Sequence, residues 1–143
     1  MASNGDRATW MTVAVVVGRL IFAVVFLIAV SFKLMDINAT AAFISAAGFP
    51  MAKLLAWLAA LLELVLVAGF LTGAYFSEIC LVAVAYVLFL GFAFHGPSRW
   101  AGNQMEFGFF VDHFTFVAGL LFAAVCGPGR WAVRRNILRR GRG

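Results

Sequence analysis

Arg19, Glu63, Asp112 and His113 lie inside long apolar runs, and Lys53 and Glu78 lie near the starts of two of them. A charge within hydrocarbon is expensive unless it is paired or hydrated, so each needs a partner or a task. Arg19 is eight residues from Met11, where the first run begins, and Glu63 is eight from Leu71, where the second ends. At about 1.5 Å per residue, both lie roughly 12 Å from the same boundary. Equal depth, opposite sign and antiparallel neighbouring helices predict an Arg19–Glu63 ion pair facing the interior. Ala56, Ala59, Ala60 and Val67 share the Glu63 face and permit close helix approach. Glu63 then either locks the helices together or carries protons.

A second group gathers at the opposite ends of the runs: Lys33, Asp36, His95, Glu106, Asp112 and His113. Glu106, Phe109, Phe110 and His113 follow helical spacing on one face, and further phenylalanines crowd the same level. Imidazole beside carboxylate is a workable proton relay, and an aromatic slot with hydrogen-bond donors suits a quinone. His95, Asp112, His113 and Glu63 are therefore the catalytic candidates. The alternative is a solvated interface whose phenylalanines face lipid. His95 and His113 could in geometry flank a haem. The motifs C-x-x-C-H, H-E-x-x-H and a paired Glu-x-x-His are all missing, so no metal and no resident cofactor are expected. Cys80 and Cys126 read as small hydrophobes.

The elements that must position these groups follow from composition. Hydrophobic residues make up 64% of 143 and charged residues 12%, with a mean hydropathy of +1.01. A water-soluble domain of this size could not hide so much apolar surface, and a disordered chain would carry far more charge. Four runs are long enough to cross a bilayer: about 11–32, 51–71, 75–94 and 107–126. The expected fold is an all-α integral membrane protein, a four-transmembrane-helix bundle over 11–126. A short N-terminal segment, 1–10, precedes it and a basic tail, 127–143, follows. Ala39 to Ala47 suits a short interfacial helix, stopped by Gly48 and Pro50. Thr72-Gly73-Ala74 suits a tight turn.

Charge placement sets the expected orientation. Six of eleven cations lie in the last fourteen residues, among them Arg134, Arg135, Arg139 and Arg140. That crowding predicts a cytoplasmic C-terminus held against anionic lipid, and an even number of spans puts the N-terminus on the same side. Membrane lipids are thus the first expected partner. Nothing beside the tail resembles a base-reading module, so no nucleic-acid partner is expected.

Several short segments together resemble the DoxX family. They are Gly18-Arg19-Leu20, Phe26-Leu27, Phe32-Lys33-Leu34, Gly48-Phe49-Pro50, Glu63-Leu64, Phe94-His95 and Gly127-Pro128-Gly129-Arg130. The resemblance runs from about residue 15 to 135, and Arg19, Lys33, Glu63 and His95 match the family pattern. It implies a four-helix protein of the bacterial inner membrane. It also implies the family's assigned roles, as a membrane subunit of thiosulfate:quinone oxidoreductase or a membrane partner of a thiol-redox and superoxide-detoxifying complex. The chain departs from the family at Asp112-His113, where a Lys-Asn pair is usual, and at Trp131-Ala132-Val133, where Ser-x-Asp commonly follows the turn. The function expected is a small membrane subunit of a larger redox complex, handling quinone or electron traffic. The alternatives are a non-catalytic assembly or anchoring subunit, and a small-molecule or proton transporter lined by Arg19 and Glu63.

Overall fold

The computed structural model describes residues 4–133, which form five α-helices joined by short turns and loops. These are α1 (Asn4–Met35), α2 (Ile37–Ala46), α3 (Ala52–Thr72), α4 (Phe76–His95) and α5 (Gln104–Cys126). α1, α3, α4 and α5 are long and apolar enough to cross a membrane. Helices are the natural outcome of such runs, because every backbone N–H and C=O within hydrocarbon must be bonded inside its own segment. The chain is an all-α, multi-pass membrane protein with four membrane-spanning helices, whose apolar outer faces contact lipid. At about 1.5 Å per residue α3 is close to 30 Å long, one hydrocarbon thickness.

α1 is longer than the expected 11–32. It begins at Asn4, so much of the short N-terminal segment continues the helix. Hydropathy marks where a helix enters lipid, whereas the helix itself runs on as long as backbone bonding allows. α2 starts two residues earlier than Ala39, because the Asp36 side chain caps it by accepting from the Ala39 N–H at 2.9 Å. Beyond its end, Gly48 adopts a left-handed backbone (φ +87°) and bonds back to the Ser45 carbonyl. The expected stop at Gly48 and Pro50 holds.

The described chain forms two compact units, residues 4–75 with 128–133, and residues 76–127. In the first, α1 and α3 run antiparallel and α2 packs on α3. Small residues on α3 (Ala56 and Ala60) are buried with Leu66 and Phe70. The Phe70 ring stacks on Phe26 at 5.8 Å between centroids and meets Phe22 at 5.3 Å. In the second unit α4 and α5 pack antiparallel. The Ser77 hydroxyl donates to the Ala124 carbonyl at 2.8 Å near one end. Gly91 faces His113 near the other, where an added Cβ would lie 3.2 Å from the His113 Cβ.

The turn after α3 takes the expected place and has an added constraint. Gly73 is left-handed at φ +72°, and a Cβ built on it would fall 2.5 Å from the Ala132 Cβ. Gly73→Ala is expected to cost at least about 1–2 kcal/mol for the backbone conformation alone, with the clash in addition. Thermal unfolding of the full chain in detergent should show a midpoint lowered by several degrees.

Candidate functional site

Where α3 ends, its last four carbonyls have no partner inside the helix. All four are satisfied from elsewhere in the first unit. Gly73 N–H donates to Gly69 O, Arg19 Nε to Phe70 O at 3.0 Å, Arg19 Nη2 to Leu71 O at 2.7 Å, and Val133 N–H to Thr72 O. The same guanidinium reaches the segment after residue 127, with Nη1 donating to Pro128 O at 3.0 Å and to Trp131 O at 2.7 Å. Arg19 is only 5% exposed. Five N–H donors in a fixed fork suit this task, and a lysine could not span it.

This geometry corrects the expected Arg19–Glu63 pair. The Glu63 carboxylate is bound instead by Lys33, with Nζ 2.9 Å from Oε1, and Glu63 is 1% exposed. The Arg19 guanidinium lies level with residues 70 and 71, seven or eight positions along α3 from Glu63, or about 11 Å. The cause is side-chain direction. Helical side chains lean toward their own N-terminus, so on antiparallel helices Arg19 and Glu63 lean apart even when their Cα atoms share a depth. Lys33 and Glu63 lean toward each other, and the Lys33 ammonium also reaches back to Ala29 O at 3.4 Å. Of the other expected cluster residues in the first unit, Lys33 is thus engaged by Glu63, and Asp36 caps α2.

In the second unit the structure does bring three of the expected residues together. His95, the last residue of α4, has Nδ1 2.7 Å from Glu106 Oε2 in the first turn of α5. Glu106 is placed by the helix start, where the Asn103 side chain accepts from its N–H. The His113 ring lies 5.2 Å from that of His95 at 40°, and its Nδ1 is 2.6 Å from Phe109 O. The glycine at position 91 leaves room for it. Trp100 donates from its indole nitrogen to His95 O at 2.8 Å, and its ring meets Phe107 and Phe110. Phe109 adds an edge contact to His95 at 5.3 Å.

With each Nδ1 engaged as donor to an oxygen, each Nε2 is left as the nitrogen for outside chemistry. The remaining candidate, Asp112, is exposed and has no hydrogen-bond or ion-pair partner among the described residues. Arg134, Arg135, Arg139 and Arg140, expected to contact anionic lipid, lie outside the described residues. Sequence reasoning missed the carbonyl partners of Arg19 and the role of Trp100. The signals were present in the Gly73 turn and the Gly127-Pro128-Gly129 run, which mark backbone that must come close to something.

The DoxX family model matches residues 14–97, which include Arg19, Lys33, Glu63 and His95. No curated protein and no solved structure matches the chain.

The pairing is testable by a double-mutant cycle. Lys33→Met and Glu63→Gln should each destabilise by about 3–5 kcal/mol, since each strands a buried charge or its partner. The double variant should recover about 1–3 kcal/mol of the summed loss. Arg19→Gln combined with Glu63→Gln should instead be additive, as read by thermal unfolding in detergent.

Proposed function

Since the chain belongs to the DoxX family, we propose that it is a small membrane subunit of a redox complex, handling quinone or electron traffic at His95, Glu106 and His113. What supports this reading is the 2.7 Å contact between His95 and Glu106, with the His113 ring against His95 and aromatic side chains around them. The quinone is the substrate, and its two-electron chemistry takes up or releases protons. Glu106 orients the His95 ring through Nδ1, so that Nε2 is the nitrogen that gives or receives a proton. His113, held through Nδ1, offers a second exchange point. Phe109 packs edge-on against the His95 ring, and Trp100 packs on Phe110 beside it. The redox centre comes from a soluble or membrane partner, because this chain carries no cofactor motif. In the same reading the protein sits in a bacterial inner membrane with both termini cytoplasmic, its arginine tail against anionic lipid.

The experiment is quinone reduction by membranes holding the assembled complex. His95→Ala and His113→Ala should each lower turnover by about 10²-fold, the usual scale for loss of an acid–base group. Glu106→Gln should lower it less, and the amount of assembled complex should not change. Unchanged turnover in all three, with assembly lost when the chain is deleted, would leave a non-catalytic anchoring subunit.

A further inference from the structure

His95 and His113 share an arrangement that proton exchange alone does not require. His95 Nδ1 donates to a carboxylate, Glu106 Oε2, at 2.7 Å, and His113 Nδ1 donates to a backbone carbonyl, Phe109 O, at 2.6 Å. These are the two kinds of acceptor that support a metal-binding histidine from behind. They set its tautomer, fix its orientation and leave the Nε2 lone pair for the ion. Neither ring makes another hydrogen bond among the described residues. Both side chains are half-buried, so the rings are held by packing yet open to small solutes.

The spacing of the rings fits one ion between them. A tetrahedral Zn²⁺ holds imidazole nitrogen at about 2.0–2.1 Å, which puts each ring centre about 3.2 Å from the ion and two such centres about 5.2 Å apart. The His95 and His113 ring centroids are 5.2 Å apart, and their planes are tilted by 40°. Cδ2 of His113, the ring carbon bonded to Nε2, lies 3.6 Å from a Cβ built at Gly91, so this side of the ring faces α4. His95 stands one turn further along that helix, on the same face as Gly91.

We propose that His95 and His113 form an exchangeable site for a late first-row divalent cation such as Zn²⁺, held by the two Nε2 atoms. Imidazole nitrogen selects such ions over Mg²⁺ and Ca²⁺, which take oxygen ligands. Among the described residues no third His, Cys, Asp or Glu completes a cluster. Water or an outside donor therefore fills the remaining positions, and the ion is a reversible ligand rather than a resident cofactor. Glu106 serves behind His95 as a positioning residue, not as a ligand. The ion takes both nitrogens that the proposed redox role uses for proton exchange, but its binding rests on ring geometry and stands if that role fails.

The test titrates Zn²⁺ into the purified full chain, carrying no histidine tag, by calorimetry in detergent. One ion per chain is expected. Affinity should fall at least about tenfold in His95→Ala and in His113→Ala alike, and about tenfold in Glu106→Gln, the lower end for loss of a supporting carboxylate. Zn²⁺ should raise the thermal midpoint of the unaltered chain and leave that of both histidine variants unmoved. In the unaltered chain loaded with Cu²⁺, electron spin-echo spectra should count two coupled imidazoles, a result that needs no variant to fold. Absence of Zn²⁺ binding, a single coupled imidazole, or an affinity unmoved by either histidine variant would overturn the proposal. An affinity unmoved by Glu106→Gln would overturn the positioning role given to that carboxylate.

Discussion

A helix that ends within or near hydrocarbon cannot leave its last carbonyls bare, and in this protein one guanidinium closes that gap. Arg19 donates to two carbonyls in the last turn of α3 and to two more in the segment after residue 127. Its charge is thereby spread over four oxygens rather than set against one carboxylate. The glycine at position 73 completes the arrangement, since any side chain there would strike Ala132 and crowd Arg19. The first unit thus has its α3 end and its returning strip of chain organised around a single side chain.

The same scarcity of polar partners governs the other charges. Glu63 is held by Lys33, from a position where both side chains lean toward each other. Glu106 and His95 pair across the α4–α5 connection, where a capped helix start and a helix end bring them level. In each case the partner is set by side-chain direction as much as by depth. Asp112, with no partner among the described residues, stands apart from this economy. Membership of the DoxX family covers the stretch that holds Arg19, Lys33, Glu63 and His95. Three of these four serve internal bonding of helix ends and charges, and His95 is the one placed beside a second imidazole.

Much of the fold was legible because hydrocarbon imposes strong one-dimensional rules. Four apolar runs of bilayer length became four spanning helices, and Gly48, Pro50 and Gly73 ended elements where their backbone preferences required. The site was legible in part. The i, i+3, i+4 and i+7 spacing placed Glu106, Phe109 and His113 on one face of α5, and all three lie against His95. The pairing of Arg19 failed for a definable reason. Counting residues measures Cα depth, while the charged atoms sit several ångströms away in directions that oppose each other on antiparallel helices.

Composition and periodicity alone determined that the chain is an all-α membrane protein with four spans, because transfer to lipid depends on local runs of side chains. Only the tertiary structure decided which oxygen each cation reaches, that Asp36 caps a helix, and that His113 rather than Asp112 joins His95. Those outcomes depend on the register of one helix against another and on side-chain direction, which no single run of sequence contains.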